Sequence, residues 1–282
     1  VVNFGKSIRI FLMDNGMPSG RWSCELSNWT GKAYKIPRNK VIDCSDRPDL
    51  LNTGIYFLIG RDEDEKELIY IGESDSILNR LKQHLDKDYW TECIVFISKD
   101  DFLNKAHIKY MENRFHNMAL SAKRFDVMNT NTPTKTSMSE ADTAELEEFM
   151  HNARLIVNIL GVKAFEPLVE LSNKNDIKTL SLSVAGVNAS GQVTSEGFVV
   201  FAGSTISKKP SSSLLKSLLL RREQLLSEGK IDENSKLLED VLFSSSSAAS
   251  DFILGYSTSG PLTWKNSQGK TLKEIELEKK EG

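Results

Sequence analysis

Two short segments carry side chains suited to proton transfer at a charged centre: Gly54-Ile55-Tyr56 and Tyr70-Ile71-Gly72. Downstream, Arg80 and His84 stand one helical turn apart, and Glu112 follows in a stretch with helical apolar spacing. Two phenols, a guanidinium, an imidazole and a carboxylate form a set that suits cleavage of a phosphodiester. Such a bond resists hydrolysis because its negative charge repels nucleophiles and its alkoxide is a poor leaving group. Catalysis needs an oriented water, a proton acceptor and positive charge against the developing phosphorane. A phenol, with a pKa of about 10, is a weak base alone, but it relays a proton when a second acceptor stands behind it. Tyr56 and Tyr70 meet that need if the strand register brings their hydroxyls into one cleft. His84 would hold a tyrosine hydroxyl or serve as the secondary base. Arg80 offers a fork of donors to the phosphate.

Glu112 supplies a site for positive charge. It lies i+4 from Ile108 and i−3 from Phe115, on the helix face turned toward the body of the domain. An isolated carboxylate is costly there. A hard divalent cation, Mg2+ with Mn2+ as a substitute, would compensate, with water and phosphate oxygens completing its shell. Each residue alone also has an ordinary structural reading. A strand tyrosine commonly packs across strands, Arg80 and His84 would line a solvated helix face, and Glu112 would pair with Lys109, Arg114 or His116. The ordered set favours the chemical reading.

The elements that must hold these residues follow from periodicity. Gly54 to Ile59 and Leu68 to Gly72 are apolar, β-branched and aromatic, and the charged stretch Arg61 to Glu67 between them reads as the turn of an antiparallel hairpin. Ser74-Asp75-Ser76 offers N-caps for a helix to about Leu85. Glu92 to Ser98 reads as a buried strand. Asn104 then opens a helix to about Lys123, with Ile108, Met111, Phe115, Met118 and Ala122 at steps of three and four. The order β-β-α-β-α predicts a compact α+β module over 54–135. Before it, residues 7–13, Trp22 to Leu26 and Ala33 to Ile36 predict a small β-rich lead-in over 1–53. After it, 136–176 reads as a helix and linker. That helix is capped by Ser139-x-x-Asp142 and stops at Gly161. From 177 to 282 the texture changes to a separate C-terminal α+β domain. Its strands are Leu180 to Val184 and Gly197 to Phe201, and Ser211 to Glu228 is predicted helical.

Composition excludes several classes. The chain has 282 residues, 39% hydrophobic and 27% charged, as expected of globular domains. No apolar run approaches the roughly 20 residues that span a bilayer, and Ile8 to Met13 is too short for a signal peptide. Three widely spaced cysteines, Cys24, Cys44 and Cys93, form neither a disulfide framework nor a zinc site, which fits a reducing cytoplasm. Net charge is −3, which argues against indiscriminate nucleic-acid binding. The lead-in is nonetheless locally basic (Arg21, Lys32, Lys35, Arg38, Lys40, Arg47), either a solvated surface or a phosphate-tracking one. His107, His116 and His151 fit no metal pattern and read as surface or helix-packing residues.

The ordered set resembles the GIY-YIG nuclease family over residues 54 to about 131. Both defining motifs match at Gly54-Ile55-Tyr56 and Tyr70-Ile71-Gly72, Asn79-Arg80 and His84 fall at the family's helix positions, and Glu112 falls at its metal-binding glutamate. Asn129 or Asn131 falls near a terminal asparagine. The resemblance implies a GIY-YIG-type mixed module and a Mg2+-dependent endonuclease. On it, Tyr56 activates water with support from Tyr70 and His84, Arg80 stabilises the phosphate and Glu112 holds the metal. Gly72, Ser74, Asn79, Asn129 and Asn131 would contact substrate, DNA above other nucleic acids. Glu73, directly after the second motif, sets a negative charge beside that substrate. Trp264-Lys265 and Gly269 to Leu272 resemble a small domain of unknown function often appended to bacterial proteins of this kind, which would select a substrate or bind a protein partner. Two rival readings keep the fold without turnover, as a nucleic-acid-binding platform or as a regulatory protein.

Overall fold

The computed structural model describes residues 5–134, 136–169 and 179–281. The architecture is mixed α+β, and the chain divides into two compact units, Val1–Pro167 and Leu168–Gly282. The predicted boundaries at 135 and at 176–177 lie outside the described residues.

The first unit is built on one seven-stranded sheet. Its strands are β1 (Ile8–Leu12), β2 (Trp22–Leu26), β3 (Gly31–Pro37), β4 (Gly54–Arg61), β5 (Glu67–Ser74), β6 (Glu92–Ser98) and β7 (Asp126–Val127), in the order β1-β2-β3-β6-β4-β5-β7. The pairings are antiparallel except β5 with β7, which is parallel. The segment predicted as a lead-in is thus part of the sheet: β3 pairs with β6 from Gly31↔Ser98 to Pro37↔Glu92. Strand neighbours so remote in sequence leave no periodic trace, which is why the lead-in reads as separate.

Both sheet faces are covered, so β4 is buried along almost its whole length. Alternation sends Ile55, Phe57 and Ile59 to one face, with Ile108, Met111 and Phe115 of α2 (Lys105–Ala122) and Phe149 of α3 (Glu140–Ile159). Tyr56 and Leu58 go to the other face, with Ile77, Leu78 and Leu81 of α1 (Ile77–Gln83). The Asn104 side chain caps α2, accepting from Ala106 N at 2.9 Å and His107 N at 3.1 Å. Ser139 caps α3, accepting from Asp142 N at 3.1 Å. Among the described residues no helix is long and apolar enough to cross a membrane, and Cys24, Cys44 and Cys93 are free, buried thiols.

The second unit has a four-stranded antiparallel sheet of β8 (Leu180–Val184), β9 (Val187–Thr194), β10 (Gly197–Val200) and β11 (Val241–Phe243), ordered β11-β10-β9-β8. Its helices are α4 (Lys216–Ser227), α5 (Ser246–Leu254), α6 (Gly260–Thr263) and α7 (Leu272–Glu281). Phe198 and Trp264 pack at 4.5 Å between ring centres in its core. The helix predicted from Ser211 begins only at Lys216. Ser211 Oγ accepts from Ser213 N at 3.3 Å, a local bond that competes with the helical ladder.

Candidate active site

Strand register decides whether the two tyrosines meet. Tyr56 stands opposite Gly72, and Tyr70 opposite Leu58. Residues two apart share a face, so both rings lie on the α1 side, 6.2 Å apart. Both motif glycines mark close approaches. A Cβ at Gly72 would come within 2.3 Å of Tyr56 Cζ, because the Tyr56 ring lies across that position. A Cβ at Gly54 would meet the Phe96 carbonyl at 2.3 Å, so glycine there lets β4 and β6 pair.

The Tyr56 hydroxyl is held from two sides. It lies 2.8 Å from His84 Nε2, and Arg80 Nε donates to it at 3.3 Å. With one lone pair taken by Arg80, the phenol proton is free to point at Nε2 of a neutral imidazole. Burial pushes the Tyr56 phenol up, and the neighbouring Tyr70 adds to this against the pull of Arg80. Burial, then the Arg80 charge, brings His84 down to about 4, so it is neutral at pH 7. The bond to Tyr56 in turn raises Arg80. Tyr70 closes the cluster, its ring 5.2 Å from that of His84.

The helix predicted to reach Leu85 ends at Gln83. His84 opens a 3-10 turn, His84–Asp86, and Trp90 Nε1 donates to its carbonyl at 3.0 Å. Arg80 and His84 therefore share a face although the helix stops between them.

Glu112 belongs to α2, on the opposite sheet face from α1. The outer edge of β5 separates the two. There β7 pairs only with Leu68 and Ile69, and Asn129 takes over at Ile71. Its Oδ1 accepts from Ile71 N at 3.0 Å and its Nδ2 donates to Ile71 O at 2.7 Å. Asn129 thereby extends the ladder by one residue and fixes the centre of the second motif. Glu112 is half-buried, and among the described residues no hydrogen bond or ion pair holds its carboxylate. Burial first and Glu73 second raise it to about 7, against Lys105, Arg80 and Lys109. A carboxylate in that state fits a hard cation bound largely through water and phosphate oxygens. No group of three or more His, Cys, Asp or Glu that could hold a metal occurs among the described residues. Any cation here would rest on Glu112 as its main protein ligand.

The other expected contacts lie around this corner. Ser74 Oγ accepts from Ser76 N at 3.0 Å, and Asn79 Nδ2 donates to Ser76 Oγ at 2.9 Å, so both shape the turn into α1. Asn131 is exposed. Glu73 is matched by Lys105, whose Nζ lies 2.8 Å from Glu73 and 3.2 Å from Asp75. Lys105 lies outside the two tyrosine motifs, yet Lys105, Lys109 and Glu112 repeat at i, i+4 and i+7, a stripe legible from spacing. The basic lead-in is mostly spent on ion pairs: Arg21 with Asp14 and Asp46, Lys32 with Asp49, Lys35 with Glu92, Lys40 with Asp43, and Arg47 with Asp46. Arg38 donates instead to main-chain carbonyls. His107 and His116 are buried helix-packing residues, and His151 is exposed. A cavity of 490 Å³ opens elsewhere in this unit, at the β4–β5 turn, where Asp62, Glu65, Glu67 and Glu92 outnumber Arg61 among the charged lining residues, a balance hostile to a polyanion.

A family model described as a domain of unknown function (DUF4357) matches residues 180–276. These are nearly all of the second unit's described residues, and the match carries no statement about the first unit. No curated protein and no solved structure matches the chain.

Proposed function

We propose that the first unit is a GIY-YIG-type endonuclease that hydrolyses DNA phosphodiesters with the help of Mg2+ or Mn2+. One observation carries the reading: the Tyr56 hydroxyl sits between His84 Nε2 at 2.8 Å and Arg80 Nε at 3.3 Å. That arrangement gives a phenol both a route out for its own proton and a positive charge at its oxygen.

The chemistry follows from the protonation states. A neutral His84 accepts the Tyr56 proton as the phenol oxygen takes one from the attacking water, so no free phenolate forms in a buried site that disfavours it. Arg80 penalises the imidazolium that results. When the scissile phosphate engages Arg80, its negative charge offsets that penalty, so proton transfer is favoured only with substrate in place. Tyr70 packs against the imidazole and orients it. Glu112 would hold the divalent cation, which supplies positive charge to the phosphate oxygens. Lys105 pairs with both Glu73 and Asp75 and offsets one of their two negative charges, which lessens the repulsion of the substrate backbone at the strand end beside the site.

Incubation with single-stranded, duplex and branched DNA in Mg2+ tests the reading. Wild-type protein cuts at least one substrate, and Glu112→Ala loses cutting. Equal activity in both would sink it. A second reading, an inactive nucleic-acid-binding or regulatory module, draws on one observation: Tyr56 is 0% exposed. It expects DNA binding that survives Glu112→Ala and no cutting with any divalent metal. A protein-binding role for the second unit belongs to the same alternative.

A further inference from the structure

His84 lies just past the end of α1, where the helix leaves carbonyl groups without intrahelical partners. Such a turn frays unless donors reach it, and an imidazole on a frayed turn does not hold a fixed bond to a buried phenol. The main chain holds part of the turn, with His84 N–H donating to the Leu81 and Lys82 carbonyls and Lys87 N–H to the His84 carbonyl at 3.1 Å, and two side chains from outside α1 supply further donors. Trp90, almost wholly buried, donates Nε1 to the His84 carbonyl at 3.0 Å. Arg38 donates Nη2 to the Leu85 carbonyl at 2.6 Å and Nε to the Lys87 carbonyl at 3.1 Å. Its guanidinium lies 5.6 Å from the centre of the Trp90 ring, so the two donors brace each other. The Arg38 main chain is anchored as well, its N–H donating to the Thr91 carbonyl at 2.8 Å, directly after the last pair of the β3–β6 ladder. A cation at a helix C-terminus also interacts favourably with the helix dipole.

We infer that Arg38, braced by Trp90, is a positioning residue for His84: it fixes the turn that presents the imidazole to the Tyr56 hydroxyl. The chain before residue 54 is then part of the site's construction. Arginine is needed for its geometry, since lysine offers one compact donor group and cannot span two carbonyls with a planar fork. The catalytic consequence rests on the nuclease reading, whereas the positioning itself is readable without it.

The test uses the full chain, labelled with 15N in its histidine rings, as wild type, Arg38→Ala, Arg38→Lys and Tyr56→Phe. There are four histidines, so His84 is read beside three internal controls. The Arg38 side chain is half-buried and its bonds lie near the surface, so Arg38→Ala is expected to fold. In Arg38→Ala the His84 ring nitrogens move toward their Tyr56→Phe positions at pH 7, while His107, His116 and His151 stay. Arg38→Lys falls between. Trp90→Phe, which keeps a ring but removes the N–H, moves His84 in the same direction. In DNA cleavage, kcat falls roughly 10- to 100-fold in Arg38→Ala with KM little changed, as expected when a catalytic group is misplaced. An unmoved His84 resonance in Arg38→Ala overturns the inference. So does a shift shared by His107 and His116, which would report general loosening. If wild-type protein cuts no DNA, the nuclease reading fails, and the ring resonances still decide the positioning role.

Discussion

Glu112 is the residue on which the electrostatics are most exposed to test. Its folded pKa is raised, so the protonated form is favoured by folding. The stability it contributes is present below its ordinary carboxylate pKa and is lost as pH rises through about 7. Glu112→Gln should therefore raise stability at pH 8 by about 1–2 kcal/mol, discounted for partial solvent screening, and change little at pH 4. Thermal melts at the two pH values check this, and an equal effect at both would show the carboxylate to be unstrained. The same substitution should abolish stabilisation of the fold by added Mn2+. For His84 the sign is opposite. Its folded pKa is depressed to about 4, so its contribution is present above the ordinary imidazole pKa and is lost as pH falls from about 6.5 toward 4. A His84→Asn variant should lose less stability than wild type across that window in a pH series of denaturant melts.

At the scale of elements, the hairpin and the helix after it carry Tyr56, Tyr70 and Arg80, and the outer edge of β5 is completed by a side chain. Asn129 spends both side-chain polar atoms on Ile71. Asn129→Ala should cost about 1–3 kcal/mol and speed amide exchange at Ile71, with little change at Phe57 in the centre of the sheet. Unchanged exchange at Ile71 would show that the ladder does not need the asparagine. Gly72→Ala should displace the Tyr56 ring and cost about 1–3 kcal/mol by overpacking. Much of this layer is legible in the sequence. Strands at 22–26, 92–98 and 180–184 coincide with predicted segments, and the caps Asn104 and Ser139 stand where side-chain chemistry puts them. Other elements escape for physical reasons. β9 reads Val-Asn-Ala-Ser-Gly-Gln-Val-Thr, with its β-branched residues only at the two ends and Asn-Ala-Ser-Gly-Gln between them, and is a strand because β8 and β10 pair with it on both sides. β11 has three residues, too few for a period. α5 begins in a serine-rich run of weak helix propensity and is held by the Ser245 cap and by burial of Phe252 and Ile253. In the site, Tyr56, Tyr70, Arg80 and His84 converge as their order predicts. The stripe of Lys105, Lys109 and Glu112 is legible from spacing, whereas the opposite-face position of Glu112 and the pairing of Lys105 with Glu73 depend on packing that local patterns do not encode.

At the scale of the whole molecule, each unit has its own core, one around Phe57, Phe96 and Phe115 and the other around Phe198, Phe252 and Trp264. Trp264→Ala empties a fully buried position and should cost the second unit about 3–5 kcal/mol. Calorimetry of the full chain should show one transition moving down while the other stays. A single transition that moves as a whole would show the two cores to be one cooperative unit. The central claim concerns the first unit, and single-turnover cleavage of end-labelled DNA by excess protein tests it most directly. The account predicts cutting in Mg2+ that stops with a chelator and slows at least about 100-fold in Tyr56→Phe. Cutting at the same rate by wild type and Tyr56→Phe, or no cutting of any DNA by wild type in Mg2+ or Mn2+, would contradict it.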